Sequence, residues 1–522
     1  MLTDRSIINF LIWTGGLILG PYLAISAVEL NFSPIIIFAV ACSLVAVFGF
    51  MRERMCMIPL IGTFIQGKLN FIPVLHPAPT EIFPLVLIFY YFIAYVALQR
   101  KKALTGPWYF FIPILILALI ILYHEHSFGL RSIGNGQEGG RGAVFMLVAV
   151  ITYFCGVSID SPSPKFLSRI PLFCIAVVTI STIPFIVTTY FPGTAPIIYL
   201  FTDNINAGAY TEAVANASDI VRNSGPSIIG AAVMTFLLAY FPVYTWWRPH
   251  RWWVAILAIA CVLAVVEGGF RSALVQFGLT MFVAIWCYSS WRSLLLIPLI
   301  VVAASVIIAL QDSNAIHLPE SAQRSLAFLP GNWDPDVVGS TESSNDFRQR
   351  IQEIYLSEDA AKSPLLGNGL SYDAADYEKT CYLALTHETP DHYYVIEEFV
   401  MSKQFHTGWI SLYDSVGLVG FAAFLLFAMS FIWVAGRAVF QRRVNRKSPL
   451  FPLKVWIFCN ILPPFVGYFT VFGDIKTTFP AYCYFAILWV QLDRLERHGY
   501  QAPVPVREVP FDSSRTAVPY AV

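Results

Sequence analysis

The sequence is dominated by runs of about 20 mostly apolar residues that alternate with polar stretches. An α-helix of that length crosses the hydrocarbon core of a bilayer. Such runs occur near residues 7–29, 33–51, 82–98, 107–123, 143–159, 171–191, 228–247, 252–268, 270–290, 294–311, 408–436, 453–473 and 477–493. A weaker stretch at 56–75, interrupted by prolines and glycines, is typical of a short helix, a broken helix or a re-entrant segment. The pattern predicts an all-α, polytopic membrane helix bundle of about 12–14 transmembrane helices.

The charge content also indicates a membrane protein and bears on which partners the protein binds. Only 13% of the 522 residues are charged, about half of what a soluble domain carries, so we expect membrane lipids to cover much of the surface. The 33 basic residues balance the 33 acidic ones, and no nucleic-acid partner is indicated. Eight of the nine cysteines lie in or beside apolar runs, which is typical of buried thiols rather than a disulfide framework.

Basic clusters fix the expected orientation, since cytoplasmic loops are enriched in Lys and Arg. The clusters occur at alternate loops, and the densest one covers residues 437–454. This places the loops at 124–142, 192–227, 312–407 and 474–476 on the outer side. We therefore divide the chain into four parts. These are the N-terminal part of the transmembrane bundle with about ten helices (1–311), a large outer loop (312–407), the C-terminal transmembrane helices (408–493) and a cytoplasmic tail (494–522).

The outer loop is far longer than an ordinary connection between bundle helices. Residues 312–405 contain 16 acidic and 6 basic residues and so carry a net charge of −10. The sequence predicts a helix from about 345 to 361 and turns at 330–332 and 367–369. Long structured loops of this kind often carry function.

Arg271 lies between two apolar runs on the predicted outer face, directly after a segment with Gly268 and Gly269. One interpretation is a snorkelling arginine at a helix end or an ion pair with Glu267. The other is an anion site, because a guanidinium fork suits phosphate oxygens and ionisable groups at membrane depth are often functional.

Two further segments contain candidate functional side chains. Arg348 and Arg350 lie on the predicted loop helix, where a solvated face is the ordinary explanation. His406 lies where the loop re-enters the membrane, followed by Trp409 and Asp414. It is either an interfacial anchor or a proton acceptor near neutral pH.

In their order and spacing these segments resemble the bacterial O-antigen ligase and O-antigen polymerase (Wzy-type) superfamily of multi-spanning, GT-C-like glycosyltransferases. The resemblance extends from about residue 266 to 424. Residues 267–273 (EGGFRSA) are similar to the family's Gly-x-Arg-Gly/Ser-Ala turn, and 346–369 to its arginine helix with a Pro-Leu-x-Gly-x-Gly end. Residues 406–420 are similar to its His-Asn-x-Tyr-Leu…Gly-Leu-Ile-Gly segment, although Thr407 replaces the Asn and Ser415 the usual Glu.

The resemblance implies a metal-independent, inverting enzyme without a cofactor. The donor would be an undecaprenyl-diphosphate-linked glycan, with the diphosphate bound by Arg271 and by Arg348 or, as second choice, Arg350. The residue matching His406 would act near the acceptor hydroxyl as base or positioning group. Asp414 and Trp409 are candidates for acceptor contact or support.

The resemblance also implies a cellular setting. The enzyme would lie in the cell inner membrane with the active site and the long loop facing the periplasm. The acceptor would be a growing glycan for an O-antigen or exopolysaccharide polymerase, lipid A core for an O-antigen ligase of lipopolysaccharide biosynthesis, or a protein. Other proteins of a polysaccharide assembly pathway are candidate partners.

Other patterns carry less specific information. The Asp-Pro-Asp sequence at 334–336 is typical of a loop turn, although Asp-x-Asp holds metal in some glycosyltransferases. His124 and His126 lack closed zinc-site spacing, and we expect solvated side chains. Arg131 and Arg141 lie in a glycine-rich outer loop, which is either unstructured or contacts acidic glycan.

Two other classes of protein fit the same sequence. A transporter or flippase of a lipid-linked or small anionic substrate would place paired charges deep in several helices, whereas most runs here are free of ionisable residues. A sensor or assembly protein would use the long loop as a binding domain, with Arg271 and His406 as anchors only.

Overall fold

The computed structural model describes only part of the chain. The described residues are 51–70, 77–97, 106–124, 140–205, 223–246, 248–289, 296–358, 363–370, 382, 399–401, 403, 405, 407–440, 448–470 and 473–497. The chain divides into two compact units, Met1–Met55 and Cys56–Val522, and residues 51–55 are the described part of the first. The predicted spans at 7–29 and 33–51 lie outside the described residues, apart from residue 51. Everything below concerns the second unit.

The described part of this unit is built from α-helices, with one isolated bridge between Leu69 and Thr202. The helices used below are α1 (Pro79–Tyr91), α2 (Trp108–His124), α3 (Arg141–Ser158), α4 (Ile170–Tyr190), α5 (Ser224–Tyr240), α6 (Trp252–Glu267), α7 (Arg271–Ser289), α8 (Leu296–Asp312), α9 (Glu320–Leu326), α10 (Pro335–Glu358), α11 (Gly408–Phe440), α12 (Phe451–Thr470) and α13 (Ile475–Arg497).

Six helices of the described residues are long and apolar enough to cross a membrane. They are Arg141–Ser158, Pro164–Tyr190, Pro249–Glu267, Arg271–Tyr288, Gly408–Phe440 and Phe451–Thr470. Three shorter apolar helices are Pro79–Tyr95, Trp108–His124 and Ser224–Tyr240. The all-α class and a multi-pass arrangement are therefore confirmed, and the total of about 12–14 spans stays a prediction.

The core of the unit forms where α11, α12 and α13 pack against one another and against α2 and α3. Phe110 of α2 meets Phe427 and Phe431 of α11 edge to face, with ring centroids 5.6 and 5.4 Å apart. Gly156 of α3 lies so close to α13 that a Cβ there would come within 2.6 Å of Ile487. Large rings and small residues thus alternate where the helices approach, as close packing requires.

The cysteines behave as the sequence predicts. The seven described cysteines are free and buried: Cys56, Cys155, Cys174, Cys261, Cys287, Cys459 and Cys483. They pack as small apolar groups. The weak stretch at 56–75 contains a short helix, Ile58–Gly62, directly after the 3₁₀-helix Arg52–Met57. The choice among a short helix, a broken helix and a re-entrant segment stays a prediction.

The described residues of the polar segment after α8 include the helices α9 and α10. α10 begins at Pro335, about ten residues before the predicted start at 345. The first ten residues of α10 include Gly339, serines and a threonine, which are weak helix formers. Packing overrides this weakness, since Val337 is fully buried and Thr341 is 6% exposed. Proline at the first helical position also favours this start, because its missing N–H needs no partner there.

Helix α11 is broken at Gly417, where φ is +62° and ψ is −169°. The freed N–H groups of Leu418 and Val419 donate to the carbonyls of Pro364 and Leu365 at 2.9 and 3.0 Å. A break inside a buried helix needs such partners, because unpaired backbone groups are costly in a membrane protein interior. The turn after α10 therefore docks directly on the break in α11.

Candidate active site at the outer helix ends

Arg271 is the first residue of α7 and is held against the loop helix α10. It follows Gly269, whose φ of +73° turns the chain sharply between α6 and α7. A side chain at Gly268 would collide with Ser227, because its Cβ would lie 2.6 Å from Ser227 Cβ. The guanidinium Nη2 donates to Asn345 Oδ1 at 3.1 Å and lies 3.5 Å from the Thr341 carbonyl oxygen. The glycine pair thus aims Arg271 at the middle of α10.

One face of α10 carries the groups that connect the motifs. Residues 341, 345, 348 and 352 are spaced by four, three and four, so they share a face of the helix. Arg271 contacts this face at Thr341 and Asn345. Half-buried Arg348 comes one turn later. The structure therefore places Arg271 and Arg348 along the same side of α10.

The same face reaches the third motif through Gln352. Its Nε2 donates to Thr407 Oγ1 at 3.2 Å. Beside this contact, the buried residues Ile351, Tyr355, Phe405 and Ile410 form an apolar cluster, with the rings of Tyr355 and Phe405 5.0 Å apart. The first motif, the arginine helix and the start of α11 are thus brought together by α10.

His406 lies outside the described residues, and its predicted role stays a prediction. Its described neighbours are Phe405, which is 2% exposed, and Thr407, which accepts the hydrogen bond from Gln352. Trp409 is partly buried and packs against the same apolar cluster as Phe405.

Arg350 occupies a different position from Arg348. Two residues correspond to about 200° of rotation along a helix, so Arg350 lies on roughly the opposite face of α10. It is exposed, whereas Arg348 is half-buried. The geometry therefore favours Arg348 as the loop arginine that accompanies Arg271.

Asp414 is buried, with 3% exposure, and its oxygens are engaged. Asn368 Nδ2 donates to Oδ1 at 2.7 Å, and Lys403 Nζ lies 3.2 Å from Oδ2. The Asp414 carbonyl also accepts from the Asn368 N–H. Of its two predicted roles, this placement favours support of the site over contact with an acceptor.

A cavity of about 410 Å³ lies beside the start of α7. On one side it is lined by Phe270 and Ser272, the two neighbours of Arg271. On the other side it is lined by Tyr468 and Asp474. Tyr468 presses against Gly408, where a Cβ would collide with the Tyr468 carbonyl. The first motif therefore borders the cavity directly, and the third motif contacts it only through Tyr468, one of the lining residues.

Most of the polar side chains that line this cavity carry hydroxyl groups. The described residues that line it include Ser224, Ser227, Ser272, Thr477 and Thr478. A second cavity of about 290 Å³ shares part of this wall and continues among mostly apolar residues of α5, α7 and α12. The two cavities thus adjoin one another along α5, α7 and α12.

Sequence reasoning missed Asp474, the acidic residue of the turn between α12 and α13. Its Oδ1 accepts from the Lys476 N–H at 3.0 Å and from Ser411 Oγ at 3.4 Å. Burial raises the pKa of this carboxyl above its ordinary range, although the charge of Lys476 opposes the shift. A carboxylate in a short turn between two apolar runs was the signal available in the sequence.

Arg141 is paired with another helix and is not available as a ligand for glycan. It begins α3 and pairs with Glu81 of α1 through Nε–Oε1 at 3.0 Å and Nη2–Oε2 at 2.5 Å. The side chains of Arg141 and Glu81 are 10% and 18% exposed. This bidentate pair holds two helix ends together. The expectation of an unstructured or glycan-binding Arg141 is therefore wrong, and Arg131 lies outside the described residues.

Two other minor patterns also have structural explanations. His124 ends α2, and its Nε2 lies 2.7 Å from the Leu366 carbonyl oxygen, so it is not simply solvated as expected. Asp334 precedes α10 and accepts from Gln323 Nε2 at 2.7 Å, whereas Pro335 and Asp336 already belong to the first turn of α10, so the sequence is a helix start rather than the expected loop turn. Within the described part of the chain, no group of three or more potential metal ligands occurs.

Comparison of the chain with protein-family models and with curated proteins gives no match.

Proposed function

We propose that the protein is a membrane glycosyltransferase that moves a glycan from an undecaprenyl-diphosphate carrier to an acceptor hydroxyl. The observation that carries the proposal is the shared face of α10. Arg271 contacts this face at Asn345, Arg348 follows one turn later, and Gln352 binds Thr407 at the start of α11. Two cations thus lie along one helix face that also reaches the third motif.

The reaction needs little more than this arrangement supplies. A glycosyl diphosphate already has a good leaving group, so the enzyme has to stabilise the departing negative charge and orient the acceptor. Preorganised cations are suited to the first task and are often the largest contribution to catalysis. Arg271 and Arg348 would bind the diphosphate, because guanidinium groups match phosphate oxygens.

The second task falls to the residues around the start of α11. His406 would act as base or positioning group for the acceptor hydroxyl, a role worth about 10²- to 10⁴-fold in rate. Trp409 and buried Asp414 would support that segment. The hydroxyl-lined cavity offers room for a sugar, and the apolar cavity behind it suits part of a lipid tail.

The cellular setting belongs to the same proposal. We place the enzyme in a bacterial inner membrane with a GT-C-like fold and with α9 and α10 in a periplasmic loop. This orientation keeps the basic clusters of 437–454 on the cytoplasmic side.

The test uses the purified full-length protein with undecaprenyl-diphosphate-linked repeat units. We expect Arg271→Ala and Arg348→Ala to lower turnover by about 100-fold or more, since each removes a charge from the leaving-group site. Arg350→Ala is the matched control, because it removes the same side chain from the opposite face of the same helix. Equal losses in all three variants, or none, would show that the face of α10 does not bind the donor.

The acceptor is identified in the same assay. Turnover of lipid-linked repeats alone into a ladder indicates a polymerase, whereas product only after addition of lipid A core indicates a ligase. Product only with a protein acceptor indicates protein glycosylation.

A transporter or flippase is the second candidate, because of the joined cavities. They share Ser227, Gln276 and Pro464, and the deeper one contains the polar side chains of Thr280 and Asn460 at membrane depth. If the cavities conduct a substrate, Gln276→Leu and Asn460→Leu abolish transport into proteoliposomes, and Arg271→Ala does not. If the protein is a transferase, substrate is converted in detergent solution, where no transport is defined.

A further inference from the structure

Lys403 joins the end of the second motif, at residues 368 and 369, to Asp414 of the third motif. Its Nζ donates to the Gly369 carbonyl at 2.6 Å and to the Asn368 carbonyl at 3.2 Å, and it pairs with Asp414 Oδ2 at 3.2 Å. Asn368 in turn donates to the carboxylate of Asp414. We refer to Lys403, Asp414, Asn368 and Gly369 as the Lys403 cluster.

The cluster is buried, which makes its charges consequential. The side chains of Lys403 and Asp414 are 10% and 4% exposed. A buried ion pair gains stability only when hydrogen bonds satisfy its remaining donors and acceptors. The two carbonyls of the turn accept from the Lys403 ammonium, and the Asn368 amide donates to Asp414 Oδ1, whereas Asp414 Oδ2 has the ammonium itself as its charged partner.

The backbone of Lys403 supports a specific role. Its φ is +58°, in the left-handed region that favours glycine. A non-glycine residue stays in that region only where the surrounding structure requires it, and such residues concentrate at functional sites. A glycine at position 403 would adopt this φ more easily, but it would not provide the cation. The contacts of the Lys403 ammonium therefore explain why a lysine occupies this conformation.

The ion pair closes a loop in the chain. Lys403 and Asp414 are the ends of a short segment that contains Thr407 and Trp409. Closing a loop removes conformational freedom from everything within it. Gln352 then fixes the middle of the segment by its contact with Thr407. The segment is therefore fastened at both ends to the turn after α10 and in the middle to α10 itself.

We propose that Lys403 is a positioning residue, which holds the start of α11 in register with the arginine face of α10. This inference rests on the proposed transferase function. Lys403 does not contact the donor or the acceptor. It acts through Asn368 and Asp414, which fix the distance between the turn after α10 and Thr407.

The test compares two buried lysine–carboxylate pairs of the same full-length protein. Lys403→Met/Asp414→Asn removes both charges of the cluster while keeping the side-chain volumes. Lys454→Met/Glu496→Gln is the matched control, since Lys454 pairs with Glu496 at 2.7 Å and is also buried. Lys403→Arg tests rescue by a retained charge. The double variants avoid a buried, uncompensated carboxylate, which could prevent folding.

Two readouts are measured. Amide hydrogen exchange of the segment between Lys403 and Asp414 should become about tenfold faster in Lys403→Met/Asp414→Asn, because local opening becomes easier. In the transfer assay, kcat should fall by about 100-fold with KM for the donor little changed, since misplaced groups slow the chemical step. The control pair should change neither readout, and Lys403→Arg should restore most of both.

Equal exchange and equal kcat in the cluster variant and the control variant would overturn the proposal. A rise in KM and a fall in kcat, together with a general loss of thermal stability in both double variants, would also overturn it, since that pattern is structural. If the wild-type protein shows no transfer at all, the proposed function is wrong, and the exchange measurement alone then decides whether Lys403 orders the segment.

Discussion

At the scale of single residues, Asp474 is an acidic group at the cavity whose burial opposes its ionisation. It lies in the turn before α13, and its Oδ1 has two donors, the Lys476 N–H and Ser411 Oγ. These contacts and the nearby ammonium favour the carboxylate, but burial outweighs them and raises its pKa above the ordinary 3.8. Ionised Asp474 therefore weakens the folded state.

Replacing this carboxyl should reveal a pH-dependent gain. Below the ordinary pKa of 3.8 the group is protonated in both the folded and the unfolded protein and opposes nothing. As the pH rises through the raised pKa of the folded state, stability is lost. We expect Asp474→Asn to raise the thermal midpoint in detergent relative to wild type, with a gain that is absent below pH 3.8 and increases as the pH rises from there to the raised pKa of the folded state. Asparagine keeps an acceptor for the Lys476 N–H.

Asp493→Asn is a suitable control for this pH series. Asp493 is an exposed carboxyl that pairs with Arg497 at the other end of α13. Exposed ion pairs contribute little, so its midpoint difference from wild type should stay small throughout. A gain for Asp474→Asn that is independent of pH would contradict the burial argument.

Residues also show where sequence reasoning stops. Arg141 and Arg271 look alike in the sequence, since each is a cation on the predicted outer side before an apolar run. The structure separates them, because Arg141 is paired with Glu81 of a different helix, 60 residues away in the chain. Such a partner is not visible in a local pattern. Periodicity describes neighbours along a helix and not contacts between helices.

At the scale of elements, the apolar runs predict helix bounds well. The run at 107–123 corresponds to Trp108–His124, and the run at 294–311 to Leu296–Asp312. Length and apolarity suffice there, because in a bilayer every backbone group must be paired within the helix. The start of α10 was misplaced because its first turns depend on burial of Val337 and Thr341.

The break in α11 could not be predicted either. Residues 408–436 form a single apolar run, and Gly417 alone does not end a helix in a sequence pattern. The break exists because Pro364 and Leu365 accept the N–H groups that it frees. That pairing joins segments more than 50 residues apart, so it depends on tertiary structure.

A side chain at Gly417 should disrupt this junction. Its φ of +62° disfavours any other residue, and a Cβ would collide with Leu365 and Gly367. We expect Gly417→Ala to lower the free energy of unfolding by about 3 kcal/mol, from backbone strain and overpacking together. Gly278→Ala in α7 is the control, since a Cβ there meets nothing within 4 Å. Alanine should be neutral or stabilising at that helical position. Equal midpoints for the two variants would contradict the role of the break.

At the scale of the whole second unit, polar contacts collect at two opposite sets of helix ends. One set contains the contacts of Arg271 with α10, of His124 with Leu366 and of Asp474 with Ser411. The other contains the pair of Lys454 with Glu496 and the contact of Arg494 with the carbonyls at the end of α3. The predicted outer loops contribute to the first set and the basic clusters to the second.

This separation gives the zero net charge a physical explanation. Residues 312–405 carry a net charge of −10, and the cations of the rest of the chain concentrate on the predicted cytoplasmic side. Arg271 and Arg348 are exceptions, since they lie beside an acidic surface. A localised pair of cations in such surroundings suits a specific anion better than diffuse attraction of negative charge.

The assignment of sides can be tested with two matched substitutions. Ser343 is an exposed residue of α10, and Ser163 is an exposed residue just before the helix that starts at Pro164. If positive residues mark the cytoplasmic side, a membrane-impermeant maleimide applied to spheroplasts should label Ser343→Cys strongly and Ser163→Cys only after permeabilisation. The wild-type chain sets the background, to which its seven described, buried cysteines should add little. The reverse labelling would place α10 and both arginines in the cytoplasm, where a periplasmic acceptor could not reach them.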